Sequence, residues 1–228
     1  TQGGCSPAGG EPGSARSRTH CLSGRRVGGR AEAGPVLIGW AVPGDRATPD
    51  RLGAVDARRV AGFADARRDE FLTGRALLAR LLIDRIGAGG RVDTAPCPRC
   101  GGEHGPVLVE GGPAIAGVAY AEGLVVAAAV SSRHALRLGV DVEAATADSV
   151  RDADLGRLLG VRPGRALRRW TEVEAVLKAT GRGLRTDPDR VRVHAGTARI
   201  VDTAETYRLA RVVGPAGYEI SVAWQPRA

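Results

Sequence analysis

The chain has 228 residues and a net charge of +8, with 43% hydrophobic and 4% aromatic residues, enough for one sizeable domain or two small ones. Five arginines against Glu11 put +4 of that charge in the first 30 residues, and the mildly basic remainder excludes the dense patch of a nucleic-acid binder while suiting an anionic small molecule or an acidic protein partner. No apolar run is long enough to span a bilayer and the chain does not open on a secretory signal, so a cytoplasmic protein without membrane contact is expected.

Residues 1–34 are dominated by Gly, Ser, Pro and Arg, a composition that buries too little apolar surface to offset its ordering entropy, and they are expected to be a disordered tail. A strand is predicted at Val36–Val42, ended by Pro43-Gly44-Asp45. Helices follow, one near Leu52–Ala66 and a stronger one over Arg68–Ile86. In the second, Phe71, Leu72, Leu78, Leu81, Leu82 and Ile86 recur at helical spacing and Gly87 stops the run. Next come strands at Ile115–Ala119, Leu124–Val130 and Leu138–Val142, then a short helix and a helix about Trp170. Strand candidates at Val191–His194, Thr206–Val213 and Tyr218–Ala223 complete the chain. This order gives an α+β fold whose two halves, residues 35–133 and 134–228, each lay a helix on a small antiparallel sheet.

Two acidic motifs carry the chemistry. In Gly139-Val140-Asp141-Val142-Glu143, strand alternation turns the valines into a core and both carboxylates to the other face. Such a pair is relieved by a cation, and a hard divalent ion fits; the alternative is a solvated strand edge with two ordinary acids. In the Trp170 helix, Trp170, Val173, Val176 and Leu177 form the buried face, and Glu174 and Lys178 project together at i and i+4. Lys178 is the chain's single lysine beside 32 arginines. Here too alternatives stand: Thr171 and Glu174 have capping-box spacing, and Glu174 with Lys178 makes a surface ion pair worth roughly 0.3–0.5 kcal/mol. Gly181-Arg182-Gly183 stops the helix and can bring backbone close to a ligand.

Together, Asp141-x-Glu143 and the later Trp170-Thr171-x-x-Glu174-Ala175-x-x-Lys178-Ala179-x-Gly181-x-Gly183-Leu184 resemble the 4′-phosphopantetheinyl transferase superfamily, in its monomeric, surfactin-synthetase-activating type. The resemblance extends over about residues 36–224, with upstream support from Phe71-Leu72-Thr73-Gly74-Arg75, the Cys97–Gly105 turn and Gly123-Leu124-Val125-Val126-Ala127-Ala128. It implies two pseudo-symmetric subdomains with the active site at their interface. It also implies transfer of the phosphopantetheine arm of coenzyme A to a serine of an acidic apo carrier protein of fatty-acid, polyketide or nonribosomal-peptide synthesis. Asp141, Glu143 and Glu174 would then hold Mg²⁺, with Mn²⁺ as the alternative ion. Glu174 would take the serine proton, and Lys178 would contact the phosphates of coenzyme A. A monomer without nucleic-acid or membrane partners is expected.

The chain departs from the family where many members carry Ser-His-Ser: here Val118-Ala119-Tyr120-Ala121 puts Tyr120 at the histidine position. Tyr120 can donate to phosphate without carrying positive charge. Arg67, Arg68 and Arg75 are candidates to replace the missing cation, and Arg75 is assigned to coenzyme A; the alternative for each is a solvated helix face. Cys97, Cys100 and His104 offer three zinc ligands without a fourth, and the alternative is a Gly-rich turn with buried thiols. Two other readings remain: a Mg²⁺-dependent hydrolase of a nucleotide pyrophosphate, and a zinc-stabilised basic nucleic-acid-binding module.

Overall fold

A computed structural model describes residues 28–44, 52–86, 91–145 and 148–227. Residues 1–27 lie outside the described residues, as do Asp45 and Gly87. The fold is α+β with antiparallel sheets. The elements run β1 (Gly29–Ala33), β2 (Val36–Ala41), α1 (Ala54–Ala61), α2 (Asp65–Ile86), β3 (Arg91–Thr94), β4 (Val107–Glu110), β5 (Ala114–Ala121), β6 (Leu124–Ser131) and β7 (Ala135–Ala144). They continue α3 (Ser149–Leu159), α4 (Ala166–Thr180), β8 (Val191–His194), β9 (Thr197–Ile200), β10 (Thr206–Val212) and β11 (Tyr218–Pro226). No helix among the described residues is long and apolar enough to cross a membrane.

One sheet has the order β1-β2-β6-β5 and a second β7-β11-β10-β9-β8; β3 and β4 form a separate hairpin. Alternation sorts each strand's side chains into layers. Val36, Ile38, Val126, Ala128, Val140, Val142, Ile220 and Val222, drawn from both sheets, share one core. On the far face of the first sheet, Leu37, Ala127 and Ala129 pack on Leu78, Leu81 and Leu82 of α2. On the far face of the second, Ala198, Tyr207, Leu209 and Ala223 pack on Val173, Val176 and Leu177 of α4. Strand β6 is buried along its whole length because both its faces are covered, and its sequence is accordingly a continuous apolar run.

The structure differs from the expectation at several short elements. Residues 29–33, placed by composition in a disordered tail, are β1: their ladder to β2 runs from Gly29↔Trp40 to Ala33↔Val36, so backbone pairing supplies what the side chains lack. The helix expected over Leu52–Ala66 is α1 alone; the chain turns after Ala61 and α2 starts at Asp65. Strands β3, β4 and β9 are additional.

The contact that positions α4 is with β7. A Cβ on Gly139 would lie 2.0 Å from the Ala175 carbonyl oxygen and 2.5 Å from the Ala179 nitrogen, so the helix backbone rests directly on the strand. Gly139→Ala is expected to push α4 off β7 and destabilise by roughly 3 kcal/mol or more, a fall in Tm of about 6–12 °C, measurable by thermal unfolding. An unchanged Tm would contradict this contact.

Candidate functional site

Asp141 lies two residues along β7 from Gly139, on the face that meets α4. Its neighbours Val140 and Val142 point into the inter-sheet core, as alternation requires. Because the helix is so close, Asp141 is only 4% exposed. Lys178, one turn of α4 beyond Glu174, reaches across and donates from Nζ to Asp141 Oδ1 at 2.5 Å. The other carboxylate oxygen, Oδ2, is buried and has no hydrogen-bond partner. Burial pushes the Asp141 pKa up, Lys178 pulls it back, Glu174 and Glu143 push it up again, and the result is about 6. Glu174 is half-buried. Its pKa is also raised, first by burial and then by Glu143, with Lys178 opposing.

Glu143 belongs to the same group but is held differently. Arg151 of α3 donates from Nη2 to Glu143 Oε2 at 2.6 Å, and the Trp170 indole Nε1 donates to Oε1 at 3.2 Å. Trp170, expected on the buried face, is half-buried and anchors α4 to β7 through Glu143. The ladder to β11 sets Ser221 opposite Asp141 and Glu219 opposite Glu143. Ser221 Oγ meets Thr171 Oγ at 2.9 Å in full burial, a second polar tie between helix and sheet. Glu219 accepts from Arg211 at 3.0 Å, while its Oε2 is buried and unpartnered. A cavity of about 370 Å³ opens beside it, lined by Arg151, Arg168, Asp148 and Asp152 among others.

Both bland readings of the helix motif fail on geometry. The helix starts at Ala166 with Arg165 as N-cap, so Thr171 is interior and caps nothing; its hydroxyl donates to Arg168 O. Lys178 pairs with Asp141 across the strand rather than with Glu174 along the helix. The solvated-edge reading of Asp141 fails on its burial.

Tyr120 of β5 and Arg75 of α2 belong to a second group. Arg75 is 4% exposed and bound by Nε and Nη2 to Asp56 at 2.5 and 3.1 Å and by Nη2 to the Thr94 hydroxyl at 2.9 Å; it also lies 4.4 Å from the centre of the Phe71 ring. Asp93 of β3 accepts from the Val55 and Asp56 N–H groups and so caps α1. Burial raises the Asp93 pKa, but N–H groups from Asp56, Thr94 and Val55, with Arg75, outweigh it and hold it below the ordinary value. Arg67 stacks 4.6 Å from the Tyr120 ring centre and pairs with Glu70, while Arg68 pairs with Asp65. Burial raises the Tyr120 pKa against Arg75, Arg67 and Arg59. The solvated-face alternative is thus excluded for Arg75, whose Nε and Nη2 are bound to Asp56 and Thr94. The structure brings Asp141, Glu143, Glu174 and Lys178 together and keeps Tyr120 and Arg75 with α2. Arg151, Ser221 and Glu219 were not anticipated, since their roles depend on ladder register and on α3, for which the sequence carries no motif.

Glu143 and Glu174 oppose the ionisation of Asp141, Asp141 has a buried bare oxygen, and Asp141 and Glu174 resist ionisation, which a hard divalent cation would relieve. The oxygens of these carboxylates do not gather within 4.8 Å of one another as a set of three; among the described residues only Cys97, Cys100 and His104 do so. No family model and no curated protein matches the chain.

The raised pKa has a sign. A proton on Asp141 is held more tightly in the folded chain than in the unfolded one, so in chelator the group's contribution to stability falls as pH rises between about 4 and about 6. A cation competes with that proton. The Tm increment produced by Mg²⁺ over chelator is therefore expected to be small below pH 5 and to grow through about pH 6; an increment independent of pH would argue against Asp141 as a ligand.

Proposed function

We propose that the chain is a Mg²⁺-dependent 4′-phosphopantetheinyl transferase, using coenzyme A to modify a serine of an acidic apo carrier protein. The observation that carries the reading is the buried, half-paired Asp141 beside Glu143, Glu174 and Lys178. In this reading the two helix-on-sheet units are related halves, residues 35–133 and 134–228, and coenzyme A lies where they meet.

Asp141, Glu143 and Glu174 would hold the ion, which when bound supplies positive charge to the pyrophosphate oxygens of coenzyme A. Glu174 is suited to the proton: a half-buried carboxylate with a raised pKa is a stronger base than a solvated one. It takes the proton of the serine hydroxyl as the serine oxygen bonds to the phosphorus bearing the pantetheine arm. The bond from that phosphorus to the bridging oxygen breaks, and adenosine 3′,5′-bisphosphate leaves. Lys178 is an ammonium on a flexible stem, already held at the site by Asp141, and turning toward the leaving oxygen lets it stabilise the charge that develops there. Trp170 and Arg151 orient Glu143. Tyr120 offers a phenol to phosphate on the side facing α2, where Arg67 lies over its ring. Arg75 serves this contact by fixing the Phe71 and Asp56 surroundings, its Nε and Nη2 being held by Asp56 and Thr94.

The partner's sign follows from charge. Residues 151–169, spanning α3 and the start of α4, hold six arginines against Asp152 and Asp154, net +4, which favours an acidic carrier over a basic one.

The decisive assay incubates the chain with coenzyme A, Mg²⁺ and apo carrier proteins from fatty-acid, polyketide and nonribosomal-peptide systems, and follows carrier mass. A gain of one phosphopantetheine is expected on at least one carrier. Coenzyme A cleavage without any carrier would instead favour a pyrophosphate hydrolase. Asp141→Ala and Glu174→Ala should each lower turnover by roughly a hundredfold or more. Lys178→Ala should be similarly severe, and Lys178→Arg tests whether a compact ammonium is required. Near-normal rates in a folded Asp141→Ala chain would sink the assignment.

A further inference from the structure

A second set of ligating side chains lies in the loop between β3 and β4, in the N-terminal half. The loop's base is closed by Ala95 N–H to Pro106 O at 2.9 Å and Gly105 N–H to Ala95 O at 3.1 Å. Within it, Gly101 N–H donates to Cys97 O and Cys97 N–H to Gly102 O, both at 2.8 Å, and His104 N–H donates to Gly102 O at 2.9 Å. Glycine is required at two points. Gly101 has φ +72, and a Cβ on Gly105 would lie 2.3 Å from Ala95 O.

The backbone thus turns Cys97, Cys100 and His104 toward one point. Their ligand atoms all lie within 4.8 Å of one another, and Cys100 Sγ is 3.4 Å from His104 Nε2. A tetrahedral ion with Zn–S near 2.3 Å and Zn–N near 2.0–2.1 Å holds sulfur and nitrogen about 3.5 Å apart. Both cysteines are free thiols, Cys97 half-buried and Cys100 exposed, so the Gly-rich turn does not bury its thiols. A redox pair of cysteines would not need His104 at this distance.

We infer that Cys97, Cys100 and His104 bind one zinc-class divalent ion, with a solvent molecule in the fourth position. Sulfur and imidazole select zinc, whereas the carboxylate group selects a hard ion, so the two sites do not compete. Bound there, the ion would also act on the loop's conformation. It clamps the loop that follows β3, and β3 carries Asp93, which caps α1, and Thr94, whose hydroxyl donates to Asp56 at 2.6 Å and accepts from Arg59 and Arg75. The same loop is tied to α1 by the Arg58–Glu103 ion pair. Holding the loop therefore steadies the buried arginine cluster next to Tyr120.

The test uses the full chain, purified with a reductant and without added chelator. Elemental analysis should find about one zinc per chain. Titrating the zinc-stripped wild-type chain with Co²⁺ should produce a thiolate-to-metal charge-transfer band and the intense visible bands of tetrahedral cobalt. Cys100→Ser and His104→Ala should weaken both, while the Mg²⁺ response of the Tm persists. Absence of zinc from the wild-type chain, together with a cobalt spectrum lacking the charge-transfer band, would overturn the inference without relying on any variant to fold.

Discussion

Removing a carboxylate from water costs several kcal/mol unless a cation and hydrogen bonds replace the lost solvent. Asp141 meets that cost only in part: Lys178 satisfies Oδ1, and Oδ2 is left bare. The surrounding architecture maintains this state. Gly139 lets α4 lie against β7, Thr171 and Ser221 tie the helix to β11, and Trp170 and Arg151 pin Glu143 from two helices. A solvated Asp141 would need no such scaffold.

The same chain shows how it treats a buried carboxylate whose role is structural. Asp56 is wholly buried, yet Arg75 grips both its oxygens and the Thr94 hydroxyl adds a third bond. A planar guanidinium matches a carboxylate at two points, where an ammonium offers a single charge. At Asp56 an arginine closes the pair, and at Asp141 the chain's single lysine leaves one carboxylate oxygen open. That difference separates the N-terminal ion pair, which holds a helix in place, from the C-terminal one, which is suited to exchange partners.

Much of the carboxylate group was legible in the sequence. Strand alternation alone turns Asp141 and Glu143 away from Val140 and Val142, and i, i+4 spacing alone sets Glu174 beside Lys178. Their partners were not legible. Whether Lys178 bonds along its own helix or across to a strand depends on how near α4 approaches β7, and that is decided by the missing Cβ of Gly139. Thr171 had the spacing of a cap, but the helix begins five residues earlier at Ala166. Arg75 looked like one of several surface cations because nothing local reveals Asp56 across the α1–α2 turn. Strands β1, β3 and β9 escaped notice because they are short and weakly apolar and owe their form to the ladders beside them.

The two sheets have four strands paired on one side only: β1 and β5 at the ends of the first, β7 and β8 at the ends of the second. An open strand edge is a template for joining another chain. Two of these edges display an exposed arginine, Arg30 in β1, which is 72% exposed and paired with Asp84, and Arg192 in β8. Edge-to-edge stacking of two copies would bring guanidinium groups together at the seam. At those two edges the arginines therefore work against joining like edge to like edge.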